Sequence, residues 1–251
     1  MAPLFSIITV TYNAANTLPR TMRSVDEQTC RLYEHIIVDG ASKDSTVPLA
    51  EQSGNPLRSI LSEPDRGIYH AMNKGISLAK GDYLIFLNAG DKFHSPSTLQ
   101  HFADAILAND YPGIAYGQTV LVDDNGKELG PRHLIAPSDL TLNSFKDGMV
   151  VCHQAMAVLR RIAPFYNLNY RFSADYEWGI LCLQHSRHNV YVDEIVVDYL
   201  SEGMTTANHR KSLKERFKIM CNYFGFWPTV MRHAKFLIRH LLRRRGAANN
   251  Q

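Results

Sequence analysis

The first ninety residues alternate short apolar runs with segments whose apolar residues recur at helical spacing. The runs are rich in β-branched and aliphatic side chains, as is typical of buried parallel strands, and comprise Phe5–Tyr12, His35–Asp39, Arg58–Ser62 and Tyr83–Leu87. Between the first two runs, Thr17 and Pro19 mark the start of a helix, and residues 67–79 carry apolar side chains at helical spacing. This alternation predicts βαβ units and a mostly parallel sheet flanked by helices.

The pattern from residue 92 to residue 215 is less regular and predicts a mixed arrangement. Strand candidates and other apolar segments are Ile114–Val122, Met149–Leu159 and Val190–Tyr199, with a hairpin turn at Asp124–Gly126 and a helix at Tyr176–Gln184. We therefore predict one α/β domain over residues 1–215, with a parallel half at 1–91 and a mixed half at 92–215.

The last part of the chain, residues 216–251, has a different composition and predicts an amphipathic helix. Its apolar residues recur at i, i+3, i+4 and i+7 from Trp227 to Leu242, with Pro228 near the start and basic residues on the other faces. This tail contains eight Lys and Arg and no Asp or Glu; removing them from the 27 Lys and Arg leaves 19 against 24 Asp and Glu, so residues 1–215 carry −5 and the tail +8. Such a helix can bind an anionic membrane surface, or it can pack on the domain with a solvated basic face.

Composition narrows the class of protein. The chain has 251 residues, of which 45% are hydrophobic and 20% charged, which suits one large globular core. It has no apolar run of 18 residues and no secretory leader pattern, so we expect a cytoplasmic protein without a membrane-spanning helix. The four cysteines are widely spaced and match no metal-binding pattern. Nucleic-acid binding is not expected, because no aromatic or base-reading groups accompany the basic face of the tail.

Polar side chains follow three of the predicted strands, where ligands bind in parallel sheets. Thr11, Tyr12 and Asn13 end the first strand, Asp39 ends the second, and Asn88-Ala-Gly-Asp91 follows the fourth. A carboxylate such as Asp39 can accept hydrogen bonds from a base or a ribose, and one such as Asp91 can hold Mg²⁺ or Mn²⁺. Each segment taken alone could also be an ordinary turn.

The segment Glu63–Gly75 is also dense in polar groups just before and within a predicted helix. The acid pair Glu63 and Asp65, Arg66 and the start of the helix could contact phosphates or sugar hydroxyls, although a capped amphipathic helix would explain most of this segment. There is no Gly-x-Gly-x-x-Gly after the first strand and no Walker-type loop, so neither dinucleotide nor P-loop phosphate binding is expected.

The order of these motifs resembles the family 2 glycosyltransferases of GT-A fold. The motifs are Thr-Val-Thr-Tyr-Asn-Ala (9–14), Val-Asp-Gly-Ala-Ser-Lys-Asp-Ser-Thr (38–46), Ser-Glu-Pro-Asp-x-Gly-Ile-Tyr-x-Ala-Met-Asn-Lys-Gly (62–75) and Leu-Asn-Ala-Gly-Asp (87–91). With Cys-His-Gln-Ala (152–155) and Ser-Ala-Asp-Tyr-Glu (173–177), they resemble most closely the bacterial subgroup that builds O-antigen and exopolysaccharide repeat units. The resemblance covers about residues 5–205.

The resemblance implies a GT-A fold, with a Rossmann-like nucleotide-binding half at 1–91, an acceptor half at 92–215 and the amphipathic C-terminal helix. It implies an inverting transfer from a nucleotide-diphosphate sugar, UDP-linked rather than GDP-linked. The donor would contact Thr11, Tyr12, Asn13, Asp39, Asp65, Lys74, Asn88, Ala89 and Gly90. Asp91 would bind Mg²⁺ or Mn²⁺, Asp175 would be the general base, and His153, Gln154 and Glu177 would line the acceptor side.

Two questions stay open at this point. Many relatives have two adjacent acids where this chain has Gly90-Asp91, which puts tight metal binding in doubt, and Glu177 is a rival to Asp175 as the base. The resemblance further implies a polyprenyl-diphosphate-linked glycan acceptor and a cytoplasmic protein peripheral at the inner face of a bacterial plasma membrane. The competing hypotheses are a non-catalytic sugar-nucleotide-binding homologue and an interaction protein that works through its basic tail.

Overall fold

The computed structural model of the protein describes residues 2–201 and 209–234. Its strands are β1 Phe5–Thr11, β2 Tyr33–Asp39, β3 Arg58–Ser62, β4 Tyr83–Phe86, β5 Lys92–Phe93, β6 Ile114–Val122, β7 Glu128–Pro131, β8 Met156–Leu159 and β9 Asn189–Leu200. Its α-helices are α1 Leu18–Asp26, α2 Thr46–Glu51, α3 Ile68–Leu78, α4 Thr98–Ala108, α5 Ala174–His185 and α6 His209–Phe224, and residues 226–234 are also helical.

One sheet carries the domain, in the order β3-β2-β1-β4-β8-β6-β9-β5, with β7 added beside β6. The four strands of the first half, β1 to β4, pair in parallel, whereas β8 runs antiparallel to both β4 and β6. This confirms the predicted fold class, a parallel half joined to a mixed half. Because parallel strands end at the same edge, the ends of β1, β2 and β4 all open on one side of the sheet.

Helix α3 lies directly on β1, and Gly75 makes this close approach possible. A Cβ atom at Gly75 would lie 2.4 Å from Cγ2 of Ile8, so only glycine allows this helix-to-strand distance without a shift. Ala71 and Met72 of the same helix are buried in the core. The first turn of α3 is thereby held over the carboxyl end of the sheet.

The predicted boundary between domain and tail at residues 215/216 falls inside helix α6. Ile219 and Met220 of α6 belong to the main hydrophobic core, and the Glu215 carboxylate accepts the backbone N–H groups of Arg171 and Phe172 at 3.0 and 2.8 Å. The first residues of the predicted tail, up to Phe224, are therefore part of the packed domain, because they supply apolar side chains to its core.

Residues 226–234 form a further helical segment after a break at Gly225, whose φ is +88°. Thr229 is buried, and Arg232 forms an ion pair with Asp147 at 2.6 Å, while Trp227 and Met231 are each 72% exposed. This segment thus both packs on the domain and presents apolar side chains to solvent. The predicted continuation of the helix beyond residue 234 lies outside the described residues. Among the helices that are described, none is long and apolar enough to cross a membrane.

Candidate functional site

Asp39 is fixed at the carboxyl end of β2, opposite Thr11 of β1. The side chain is fully buried, and its carboxylate accepts hydrogen bonds from the Ser42 backbone N–H at 2.8 Å, from the Ser62 hydroxyl at 2.7 Å and from the Ser42 hydroxyl. A carboxylate offers about four acceptor positions, so about one of them remains for a ligand. Asp39 is therefore held in place with a small remaining capacity to accept a hydrogen bond.

Asn13 joins the loop after β1 to the loop after β2. Its backbone is in the left-handed region, with φ of 48°, where Asn is better tolerated than most residues. The side-chain Oδ1 accepts the Lys43 backbone N–H at 2.9 Å, and the Asn13 backbone N–H donates to the Ser42 hydroxyl at 2.7 Å. The amide oxygen of Asn13 thus holds the neighbouring loop, and its NH₂ group is left for a donor nucleotide.

Tyr12, Gly40 and Asp65 come together beside these two loops, and we call the surface between them the slot. A Cβ atom at Gly40 would lie 2.6 Å from Oδ2 of Asp65 and 3.4 Å from the Tyr12 ring, so the three residues meet around the Gly40 backbone. The Tyr12 ring is 60% exposed, and Asp65 Oδ1 accepts the Gly67 backbone N–H at 2.7 Å. An exposed ring beside a carboxylate suits a planar base or a ribose.

Lys74 does not present a free ammonium group to this slot. Its Nζ donates to the Pro64 carbonyl at 2.9 Å and pairs with Glu63 at 2.9 Å. Lys74, which we predicted to bind the donor, uses these two contacts to brace the segment that leads into α3. The structure therefore brings Tyr12, Asp39 and Asp65 together but leaves the charge of Lys74 neutralised by Glu63.

Asp91 is enclosed by protein groups at the end of the Asn88–Asp91 turn. It is 4% exposed; Oδ1 accepts the Leu200 backbone N–H and Oδ2 accepts the Gln154 amide, both at 3.0 Å. Burial raises the pKa of Asp91 to about 7, against the opposing effect of these two hydrogen bonds and of the positive charge of Arg20. Asp91 therefore ties β9 to the residues before β8.

The residues around Asp91 do not fit the predicted metal site. Within residues 2–201 and 209–234, no three His, Cys, Asp or Glu side chains are grouped so that they could hold a metal ion. Gly90 has a φ of +106°, and a Cβ atom there would lie 2.8 Å from Cδ2 of Leu200, so an acid cannot simply replace it. The Asn88 Oδ1, buried without a hydrogen-bond partner among the described residues, is neutral and does not replace a carboxylate. The one remaining acid, Asp91, is almost fully buried and each of its oxygens accepts an N–H group, so burial leaves it little access to a metal ion.

Asp175 lies in the first turn of α5 and faces helix α3. The Tyr69 hydroxyl donates to its Oδ1 at 3.0 Å, and Oδ2 lies 3.8 Å from Nδ1 of His153, too far for a hydrogen bond. The side chain is 20% exposed, and among the described residues no group donates to Oδ2. Asp175 thus has one oxygen fixed and the other open, as a general base requires.

His153 is a buried, neutral neighbour of Asp175. Burial lowers its pKa, the Asp175 carboxylate raises it, and the positive charge of Arg132 lowers it further. The Nε2 atom is buried, and no group in the described part of the chain hydrogen-bonds to it. An unpaired buried polar atom is costly, so His153 has a polar position that a substrate hydroxyl could fill.

The other two residues predicted for the acceptor side point elsewhere. Glu177 is buried, and its carboxylate accepts a hydrogen bond from the Tyr223 hydroxyl of α6 at 3.1 Å. It lies about 200° around helix α5 from Asp175. Gln154 bonds to Asp91 as described, and its Oε1 accepts the Cys152 thiol at 2.6 Å. Burial raises the pKa of Cys152 to about 11, so this thiol stays protonated as the donor. The structure therefore places only His153 of the three beside Asp175.

Three residues near the site were not predicted from the sequence: Tyr69, Tyr199 and Arg132. Tyr69 could have been found, because it stands in the Gly-Ile-Tyr part of a motif at the start of α3. Tyr199 is the last residue but one of β9, where burial and the charges of Cys152, Asp91 and Asp175 raise its pKa. Arg132 lies in the irregular segment after β7, where spacing carries no signal.

Two sequence comparisons locate relatives of the chain. The family described as "Glycosyl transferase family 2" matches residues 6–163. A protein named "PGL/p-HBAD biosynthesis glycosyltransferase" from Mycobacterium bovis is 36% identical over 210 residues, which cover 80% of this chain and 78% of that protein. The "Amylovoran biosynthesis glycosyltransferase AmsB" of Erwinia amylovora is 34% identical over 104 residues, 39% of this chain and 35% of that protein.

Solved structures with a similar fold include two complexes with nucleotide sugars. The TarS 1–349 structure from S. aureus in complex with UDP-GlcNAc superposes with a TM-score of 0.74, covering 96% of this chain and 72% of that one at 16% identity. The mannosyltransferase PcManGT from Pyrobaculum calidifontis, in complex with GDP-Man and Mn²⁺, gives a TM-score of 0.62 over 99% of this chain and 80% of that one, also at 16% identity. At this identity the likeness concerns the fold alone.

Proposed function

This chain belongs to glycosyl transferase family 2, and we propose that it is an inverting enzyme that transfers a sugar from a nucleotide-diphosphate sugar to a hydroxyl group of a lipid-linked glycan. Its fold is that of GT-A glycosyltransferases. One observation carries the proposal: the short segment from Asp65 to Tyr69 borders the nucleoside slot at one end and hydrogen-bonds Asp175 at the other. A donor seated against Tyr12 and Asp65 would lie next to a carboxylate with one free oxygen.

The transfer follows from this arrangement. The acceptor hydroxyl oxygen attacks the anomeric carbon from the face opposite the nucleotide, and its proton passes to Oδ2 of Asp175. The bond between the anomeric carbon and the diphosphate oxygen breaks, and its electron pair leaves with the nucleoside diphosphate. A positioned base contributes about 10²–10⁴-fold to such a step. Tyr69 holds Oδ1 of Asp175, which leaves Oδ2 oriented for the proton.

The nucleoside is assigned to the slot formed by Tyr12, Asp39 and Asp65. The remaining acceptor position of Asp39 suits a base N–H or a ribose hydroxyl, and the exposed Tyr12 ring offers a stacking surface. The fold accommodates UDP-GlcNAc in TarS and GDP-Man in PcManGT. We assign UDP to this chain on the motif resemblance, with Asn13, Asn88, Ala89 and Gly90 as further donor contacts.

No step of the proposed transfer uses Mg²⁺ or Mn²⁺. A divalent cation, where a glycosyltransferase binds one, neutralises charge on the leaving diphosphate. PcManGT is described with Mn²⁺. In the present chain the predicted ligand Asp91 is almost fully buried, and its two oxygens accept the Gln154 amide and the Leu200 N–H.

The acceptor and the location rest on the C-terminal part of the chain. We assign a polyprenyl-diphosphate-linked glycan as the acceptor and the inner face of a bacterial plasma membrane as the location. The exposed Phe226, Trp227 and Met231 form an apolar patch, and residues 235–251 add five Arg and Lys in sequence without any acid. Apolar and basic groups together favour an anionic lipid surface. The family resemblance and the amylovoran name of AmsB support surface polysaccharide synthesis as the setting.

A second candidate function is a sugar-nucleotide-binding homologue without catalysis, which the missing second acid beside Asp91 favours. Substitutions at Asp175 and Glu177 distinguish the catalytic function from the non-catalytic one, because these two acids lie close together on one helix and make different contacts. We expect Asp175→Asn to lower kcat at least about 100-fold while the Kd for the nucleotide stays within about threefold. The matched variant Glu177→Gln keeps a group that accepts from Tyr223, so we expect it to retain most of the activity. Equal activity of wild type and Asp175→Asn would refute the assignment of the base.

A further inference from the structure

We propose that Arg132 binds the β-phosphate of the donor and of the leaving nucleotide, and so supplies the positive charge that a divalent cation supplies in other glycosyltransferases. This inference rests on the proposed function, since it presumes a nucleotide-diphosphate donor. It adds a residue that the sequence motifs do not mark.

The strand register places Arg132 beside the residues that precede β8. One side of β6 is occupied by β9 from Ile114 to Val122, so β8 and β7 must both pair on the other side. β8 pairs as far as Tyr116↔Met156, and β7 pairs from Val120↔Pro131. Both strands run antiparallel to β6, so the end of β7 at Pro131 and the start of β8 at Met156 point toward each other along the same side of β6, across a gap between Tyr116 and Val120. Arg132 directly follows Pro131, and His153 begins the short 3-10 helix that leads into Met156, so both residues adjoin this gap.

The contacts of Arg132 agree with this placement. Its Nη2 donates to the Met149 carbonyl at 3.3 Å, and Met149 lies in the segment that leads into Cys152 and His153. Its positive charge lowers the pKa of all three side chains His153, Cys152 and Tyr199. This adds to the effect of burial on His153 and opposes the effect of burial on Cys152 and Tyr199. The guanidinium is thus close to the side chains that border Asp175 and Asp91.

Arg132 has unused hydrogen-bonding capacity there. Among residues 2–201 and 209–234, no acid lies within ion-pair distance of its guanidinium, and its side chain is neither fully exposed nor fully buried. A guanidinium offers five N–H donors in a planar fork that matches two phosphate oxygens, and the bond to Met149 uses one. Lys74, by contrast, already has an acid partner in Glu63.

The rest of the site is consistent with a positive charge that comes from a protein side chain and not from a metal ion. Asp91 is engaged by Gln154 and Leu200, and Gly90 has a φ of +106°, which disfavours a second acid at that position. Placed beside His153, Arg132 would meet the phosphate nearest the sugar, where negative charge develops as the bond to the anomeric carbon breaks. An arginine keeps its charge at all working pH values, so this contribution should persist in a metal chelator.

The test is calorimetry with UDP and UMP, and with GDP and GMP in parallel, in excess EDTA. We expect the wild type to bind UDP in EDTA and Arg132→Met to weaken UDP binding by about 10- to 100-fold, as loss of charged hydrogen bonds predicts. UMP lacks the β-phosphate, so its Kd should change by less than about threefold. Arg132→Lys keeps the charge and should fall between the two. Arg187→Met removes an exposed arginine beyond the far end of α5 and should leave all four affinities unchanged.

Three results would overturn the inference. The first is wild-type binding of UDP that tightens more than about tenfold when Mn²⁺ replaces EDTA. The second is an unchanged UDP affinity in Arg132→Met, and the third is an equal loss of UDP and UMP binding in that variant. The last would mean that Arg132 acts only on the structure of the segment, which the thermal unfolding midpoint of each variant would also register. If the wild type binds none of the four nucleotides, the proposed function itself fails, and that result is separate from the other three.

Discussion

Replacing Asp91 by Asn should remove a large pH dependence from the stability of the protein. Asp91 is a nearly fully buried carboxyl group whose oxygens accept the Leu200 N–H and the Gln154 amide. Burial penalises its charged form and raises its pKa from 3.8 to about 7. Asn keeps the oxygen that accepts from Leu200 and cannot ionise.

The sign and size of the effect follow from this shift. Below about pH 3.8 both the folded and the unfolded protein carry a protonated Asp91, and the stabilisation from holding that proton is fully present. As the pH rises, the unfolded state ionises first, so stability is lost progressively until the folded state also ionises near pH 7. At about 1.36 kcal/mol per pKa unit, the full effect is about 4 kcal/mol, of which about 3 kcal/mol falls between pH 5 and pH 8.

The assay is urea unfolding of both proteins at several pH values from 5 to 8. Other groups titrate in both proteins, so they cancel in the difference, as does any constant cost of rearranging Gln154. We expect the wild type to lose about 3 kcal/mol relative to Asp91→Asn across this range. A difference that stays constant within about 0.5 kcal/mol would show that Asp91 is not the buried, enclosed group described here.

Three further predictions concern the base, the slot and the tail. Tyr69→Phe removes the hydrogen bond to Asp175, so kcat should fall about tenfold in steady-state kinetics while the Kd for UDP in calorimetry stays unchanged. An equal loss in kcat and in UDP affinity would contradict a positioning role. Gly40→Val would place its side chain against Asp65, so nucleotide affinity should fall sharply without loss of the folded state, and a nucleotide Kd equal to that of the wild type would refute the slot. Removing residues 235–251 should reduce sedimentation with anionic vesicles at low salt but preserve donor hydrolysis; equal sedimentation of both forms would refute the membrane assignment.

The fold could be predicted largely from the first half of the sequence. Buried parallel strands are continuous apolar runs, and β3 and β6 have the bounds that the pattern predicts. Helix α4 was not predicted, although Leu99, Phe102, Ala103 and Ile106 have helical spacing. Helix α6 was not predicted because its exposed face is strongly basic, which hid the two core residues Ile219 and Met220.

The site was predictable as a set of strand ends but not as a set of contacts. Asp39 and Asp175 could be found because motifs mark them. The sequence could not reveal that Lys74 pairs with Glu63, that Glu177 faces Tyr223, or that Gln154 reaches Asp91, because these pairings depend on side-chain direction across packed elements. The sequence could likewise not reveal that Asp91 is an enclosed carboxyl group, because residue type suggests a metal ligand whatever surrounds it.

The most direct test of glycosyl transfer is to incubate the protein with UDP-, GDP- and dTDP-sugars and polyprenyl-diphosphate-linked monosaccharides, and to record nucleoside diphosphate release together with the mass of the lipid product. The account predicts that a UDP-sugar is consumed, that the lipid product gains the mass of one sugar residue, and that Asp175→Asn forms almost none of it. Binding of the nucleotide sugars with no consumption of any of them, and no change in lipid mass, would contradict the account and favour the non-catalytic homologue.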